Sequence, residues 1–302
     1  MPLGLLTGLA AALSWGTLDL LSALASRRVG SLVVTTGMQL VGASLVWVIA
    51  LAVGTVFPTD PFVLVGGALV GLAGAGAYLS YFTGLRIGPI AVVSGIIGAY
   101  GGLTVVLAVV VRGESLSLTQ AIGAVVATCG VVLVGISFDG GGLRGAKLAG
   151  PGVAFAFVAF ILFALMTIGS DIVIDHTDWL SALLVSRSAN VILSVVVLIV
   201  ASTALRGRSG PLLEGESGTA SRMERRVFVA IVLAGVLDVL GLLAFAYGLQ
   251  YAETWLVGLA SSFGPAVTIV VAVLVLGERL KSIQWLGLAG VLTGVVLIAL
   301  PG

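Results

Sequence analysis

Four ionisable residues, Asp19, Asp171, Arg187 and Asp238, stand within or at the end of long apolar stretches of this 302-residue sequence. In a bilayer centre such a group costs about 2.5–3.5 kcal/mol on insertion scales, so each is a candidate for chemistry. Asp19 precedes the Arg27-Arg28 pair by about two helical turns. It can hold a proton or a cationic solute, or be tied to neighbouring hydroxyls as a structural carboxylate. Arg187 and Asp238 carry opposite charges at comparable depth. They can neutralise one another as an ion pair, or gate a pathway if a solute competes for either partner. Asp171 is followed by Asp175, His176 and Asp178, which read as a solvated connector. One histidine with loose acidic spacing makes no metal site, and neither metal nor cofactor is expected.

Aromatic and hydroxyl residues would shape a central cavity around these charges. Trp15, Tyr78, Tyr81, Ser94 and Tyr100 supply it from the first half, and Tyr247, Trp255, Ser261 and Ser262 from the second. Aromatic rings give an apolar wall with a polar tip, suited to amphiphilic or cationic solutes. Trp and Tyr at span ends are ordinarily interfacial anchors, a role that suits Trp47, Trp179, Trp255 and Trp285.

The elements that must hold these residues follow from composition. The chain is 59% hydrophobic and 9% charged, with a mean hydropathy of +1.25, whereas soluble domains carry roughly 25% charged residues. A membrane protein is indicated. Net charge is +1, so no nucleic-acid surface is expected, and the single Cys129 and His176 exclude a disulfide framework. Met1-Pro2 runs into an apolar segment without a basic leader, which reads as a retained first span. Stretches of about 20 apolar residues can cross a bilayer core. Ten can be drawn, at 3–24, 31–54, 62–84, 89–111, 118–137, 148–170, 179–203, 227–249, 254–276 and 283–300. Lipid offers no partners to open strand edges, so the spans are helices and the fold class is all-α.

The chain also repeats itself. Gly113-Glu114-Ser115-Leu116 with Gln120 and Gly123 recurs 164 residues later as Gly277-Glu278-Arg279-Leu280 with Gln284 and Gly287. The same offset matches Gly71 to Gly235, Gly84 to Gly248, Thr104 to Thr268 and Gly130 to Gly294. Residues 1–138 and 148–302 thus read as two five-span units, joined by a linker at 139–147, with a mobile connector at about 206–226 in the second. Five is odd, so the two units would be inverted. The connectors after odd spans hold nearly all the loop Lys and Arg, those after even spans only Arg112, which places the odd connectors in the cytoplasm. Glu114 and Glu278 stand where a span ends, and each can cap the N-terminus of the following helix. Most of the 43 glycines read as sites of close helix approach.

Two Gly-Glu-x-Leu-x-x-x-Gln-x-x-Gly strings in register, with Ser14-Trp15-Gly16 in span one and Gly264-Pro265 in span nine, resemble the EamA-type proteins of the drug/metabolite transporter superfamily. Tyr100-Gly101 stands where the second half has Gly264-Pro265, so a symmetric kink is not expected from the sequence. The resemblance implies alternating-access transport of small organic solutes, with protons or exchange as the driving force, in the plasma or inner membrane as monomer or homodimer. Site residues under that reading are Trp15, Asp19, Tyr78, Tyr81, Tyr100, Arg187, Asp238, Tyr247, Ser261 and Ser262, with Glu114, Gln120, Pro265, Glu278 and Gln284 as structural motif. A metabolite, an amino acid or an amphiphilic cation fits, with export the expected direction and multidrug or cation efflux the narrower alternative. A membrane enzyme would need a nucleophile, zinc or phosphate-loop motif, and a channel a filter of repeated polar residues; the sequence shows neither.

Overall fold

Each helix begins and ends where local chemistry requires. α3 (Pro61–Ile87) starts at Asp60, whose carboxylate accepts from the backbone N–H of Phe62 (2.7 Å) and Val63 (3.4 Å), with Pro61 in the first turn. α1 (Pro2–Val29) and α2 (Ser31–Val53) are separated by Gly30 alone, at φ 89°. Gly54, at φ 76°, closes α2. α4 (Tyr100–Leu107) continues into a π turn, Ala108–Arg112, which ends on Gly113 at φ 68°. Before α5 (Leu118–Gly135), Ser117 and Gln120 form a capping box, Ser117 N–H donating to Gln120 Oε1 (2.8 Å) and Gln120 N–H to Ser117 Oγ (3.3 Å). α6 (Pro151–Ile174), α7 (Trp179–Ala204), α8 (Arg225–Tyr251), α9 (Thr254–Ser261) and α10 (Ser282–Ala299) follow. Among the described residues there is no strand.

This computed structural model describes residues 2–88, 93, 96–135, 150–204, 224–264, 266–268, 270 and 282–300. The expected linker at 139–147, most of the connector at 206–226, Pro265 and Glu278 lie outside them. So does the side chain of Gln284, whose backbone belongs to α10. Six helices, α1, α2, α3, α6, α7 and α8, are long and apolar enough to cross a bilayer. Three shorter apolar stretches, Ile96–Arg112, Leu118–Leu133 and Trp285–Ile298, accompany them.

The repeat is visible in the elements. α3 and α8 begin at 61 and 225 and end at 87 and 251; α5 and α10 begin at 118 and 282 and end at 135 and 299, so every bound is 164 apart. α2 and α7 begin at 31 and 179, which are 148 apart, because α7 is three residues longer than α2 and the connector before α8 is 13 residues longer than that before α3. Helices pair across the halves with partners exchanged: α1 on α8 and α3 on α6, α3 on α7 and α2 on α8. At atomic scale, a Cβ at Gly71 would meet Ser186 O and Ala189 Cβ; its mate Gly235 faces Met38 O and Val41 Cβ, residues 148 earlier. α5 and α10 are antiparallel. Gly123 faces Gly294 and Ile298, whereas Gly130 faces Gly287 and Val291. Both contacts run backbone to backbone, which only glycine permits there.

The expected spans at 89–111 and 254–276 are each interrupted, at Ala99 and at Ser262-Phe263. Short i to i+3 bonds replace the α-helical ladder: Gly102 N–H to Ala99 O (3.0 Å) and, 164 residues on, Ala266 N–H to Phe263 O (2.9 Å). The break therefore recurs in the half that lacks the proline, contrary to the sequence expectation. Tight turns at small residues suffice to make it.

Candidate functional site

The two breaks set Tyr100 and Ser261 face to face, 2.9 Å apart through their hydroxyls. Ser261 Oγ donates its single proton to Gly258 O (2.9 Å), which leaves Tyr100 as donor to Ser261. On α1, Trp15 and Asp19 are one turn apart and share a face; on α3, Tyr78 and Tyr81 do the same. Tyr81 OH donates to Asp19 Oδ2 (2.9 Å), so the only buried carboxylate of α1 is met by a hydroxyl. These side chains enclose a cavity of about 40 Å³ with Ile97, Phe163, Met166, Thr167, Phe245 and Gly264. Phe163 is its aromatic hub, with ring centroids 5.3 Å from Tyr78, 6.3 Å from Tyr81 and 5.6 Å from Tyr100. Ligand pockets run to about 300–1,000 Å³ and a single water needs about 10–15 Å³ of such space, so this cavity takes a few waters and no drug-sized solute.

Behind Tyr78 lies the second cluster. Arg187 pairs with Asp238 through Nη2 and donates to Gln39 Oε1 through Nη1. Tyr78 OH donates to the other oxygen of Asp238 at 2.7 Å. All are buried: Asp238 and Gln39 are 0% exposed and Arg187 3%. Four helices, α2, α3, α7 and α8, thus meet at one ion pair. A second cavity, also about 40 Å³, opens beside Arg187 between α3, α6, α7 and α8 and shares Tyr78, Met166 and Phe245 with the first. The ion pairs among the described residues are this one and those of Arg112 with Asp171 and Asp175; Asp19 is in none.

A family model for the EamA-like transporter family matches residues 2–136 and again 150–300. The chain belongs to the EamA-like transporter family. One solved crystal structure, 19% identical, superposes with a TM-score of 0.76 over 98% of this chain and 98% of its own, which shows the fold. An uncharacterized protein of Methanocaldococcus jannaschii is 29% identical over 77 residues, 26% of this chain. The match spans little more than half of that relative, 56%.

In this EamA-like chain the repeat runs through the cavity itself. Applying the two offsets, 148 for α1 and 164 beyond α2, pairs Trp15 with Phe163, Asp19 with Thr167, Tyr81 with Phe245, Ile97 with Ser261 and Tyr100 with Gly264. Ten of the twelve lining residues fall into these five pairs, so the cavity sits where the two repeats meet. Arg187 and Gln39 are mates as well, and they touch. Ile97, Phe163, Met166, Thr167 and Phe245 were missing from the sequence-derived set, and Gly264 entered it only as part of the Gly264-Pro265 motif. The 148 offset would have found Phe163 and Thr167 as the mates of Trp15 and Asp19.

Other expected residues lie elsewhere. Tyr247 is 40% exposed and meets the rings of Trp179 edge-on and Tyr251 at a tilt on the outside of α8, because it follows Phe245 by two residues and so leaves the inner face. Ser262 is buried against Gly101, its hydroxyl donating to Leu259 O (2.7 Å), and packs α9 on α4 instead of lining the cavity. Trp255 is fully buried, with its indole N–H on Glu253 (3.0 Å), and is no interfacial anchor. Glu114 is a cap, but not of α5, the next helix: it accepts from the N–H groups of Thr254 and Trp255, both at 2.9 Å, and caps α9 of the other half. Asp171 is no solvated group. It is 4% exposed and held by Arg112 Nε at 2.5 Å, while Arg112 Nη2 reaches Asp175 at 2.5 Å.

Proposed function

We propose that this chain is a secondary transporter that carries a small organic solute across the plasma or inner membrane by alternating access, with the Asp19 cavity as its solute site. All ten apolar stretches cross the bilayer in this reading, and residues 1–138 and 148–302 form two five-helix units of opposite sense. The antiparallel contact of the equivalent helices α5 and α10 supports that inversion. Discontinuous helices meeting at a repeat interface are where transporters of other folds hold their solutes, and the breaks at Ala99 and Phe263 flank the cavity in the same way.

One observation carries the reading: Asp19 is 8% exposed, lines the cavity and pairs with Tyr81, with no cation against it among the described residues. A carboxylate so placed is neutral when protonated, or balanced when the ammonium of a solute stands against it. Proton and cation then compete for one site, which couples their movements. The small volume marks a closed form, and solute entry requires the aromatic walls to part.

The test is Asp19→Asn in proteoliposomes, with a panel of amines, amino acids and neutral metabolites moved by an imposed pH gradient. The expected outcome is loss of pH-driven flux in the variant while folding and thermal stability stay near wild type. Undiminished pH-driven flux in Asp19→Asn would sink the assignment.

A further inference from the structure

The second cavity breaks the symmetry of the repeat in a way that identifies what it accepts. Asp238 has Gly74 as its repeat mate, and Gly74 lines that cavity. Gly67 and Ser186, also on its wall, have Ile231 and Met38 as mates, both buried in the core. On one side of the touching Arg187–Gln39 pair, the space is therefore filled by the carboxylate of Asp238 and two large apolar side chains. On the other side, the corresponding positions carry two glycines and a serine and the space next to Arg187 is open, while further along the wall Trp179 and Ile174 are larger than their mates Ser31 and Ser26.

Arg187 borders this opening. Two of its nitrogens are engaged, one by Asp238 and one by Gln39, while Nε, buried, has no partner among the described residues, nor has Gln39 Nε2. A guanidinium edge is shaped for a planar two-oxygen acceptor. We propose that the cavity is a carboxylate subsite, in which the carboxylate of the transported solute takes the place that a side chain at position 74 would hold by repeat symmetry. A space of about 40 Å³ is small enough to favour a compact group such as a carboxylate. Because Tyr78, Met166 and Phe245 are the common wall between this cavity and that of Asp19, parting them lets a single solute reach both. Its ammonium then stands at Asp19 and its carboxylate at Arg187, so the favoured solute is a zwitterion with an apolar or aromatic body. The inference rests on the Asp19 cavity being the solute site.

The experiment compares phenylalanine, phenylalaninamide and 3-phenylpropionate on the full-length protein in detergent, by thermal shift and by competition. Phenylalanine is expected to bind at least tenfold more tightly than its amide, and Gly74→Asp to bring that ratio to about one by tethering a carboxylate in the subsite. The Cβ at position 74 meets only Asn190 Nδ2 (3.1 Å) and Met166 Sδ (3.2 Å), both on flexible side chains, so the variant can be accommodated. Equal binding of acid and amide overturns the subsite, and leaves the transporter reading intact if amines still move in an Asp19-dependent manner. Should none of the three bind, stability decides. Gly74→Asp must then melt higher than Gly74→Asn, and lose that advantage in an Arg187→Gln background; Asp melting no higher than Asn also overturns the proposal.

Discussion

The two halves of the molecule share a scaffold and divide the chemistry. Where helix packs on helix, repeat mates do the same work: Gly71 lies on Ser186 and Ala189 as Gly235 lies on Met38 and Val41. Where the cavity opens, mates differ. Asp19, Tyr81 and Tyr100 of the first half face Thr167, Phe245 and Gly264 of the second, so the first half supplies most of the polar groups and the second most of the apolar wall. At the ion pair the allocation reverses, with Arg187 and Asp238 in the second half against Gln39 and Gly74 in the first. Packing constrains both halves alike, because close backbone approach has one solution, glycine. Under the proposed function, a single solute lying where the halves meet would present a different group to each, and the site residues would not need to match.

Substitutions at mated positions test this division. The largest effect is expected at the ion pair. Arg187→Ala or Asp238→Ala strands a buried charge and should lower stability by about 3–5 kcal/mol, while Gln39→Ala, which removes a neutral partner, should cost about 1–3 kcal/mol. Chemical or thermal denaturation in detergent reads the difference, and equal losses at 187 and 39 would remove the asymmetry. Next come the glycines. Gly71→Ala and Gly235→Ala should each cost about 1–3 kcal/mol by forcing helices apart, with the two losses alike. A cost confined to one of them would mean that the scaffold is not symmetric.

The smallest effects belong to the caps. Glu114→Ala, which uncaps α9 across the half boundary, and Asp178→Ala, which uncaps α7 within its own half, should each cost about 1 kcal/mol. Only the first should also loosen the contact between halves, read by protease susceptibility at α9. Burial raises the Asp178 carboxyl, but hydrogen bonds from the Ser181 hydroxyl and the N–H groups of Ser181 and Leu180 outweigh it and hold the group below the usual carboxylate range. Its contribution is therefore present above the unfolded value near 3.9 and lost as pH falls through the lower folded one. The stability gap between wild type and Asp178→Ala should close only in strong acid.

Much of the candidate site was legible because intramembrane charge is rare. Asp19, Arg187 and Asp238 stand out in apolar surroundings, and Trp15, Tyr78, Tyr81, Tyr100 and Ser261 follow as the polar-tipped residues at similar depth. All eight line one of the two cavities or join the ion pair beside them. Phe163 and Phe245 were not legible, since an apolar ring in an apolar helix looks the same whether it faces lipid, core or cavity. Tyr247 failed for the converse reason: depth along a helix does not say which face a residue is on.

The sequence alone determined that the chain is a helical membrane protein made twice from one pattern, because hydropathy and a fixed 164-residue offset depend only on the order of residues. Tertiary structure decided the rest. It set the second offset of 148, the matched breaks at Ala99 and Phe263, the reach of Glu114 to the other half, and the opening beside Gly74 where its mate Asp238 fills the space. Each of these depends on which residues of two distant segments are brought together, and the physical cause is packing between helices whose partners are not their neighbours in the chain.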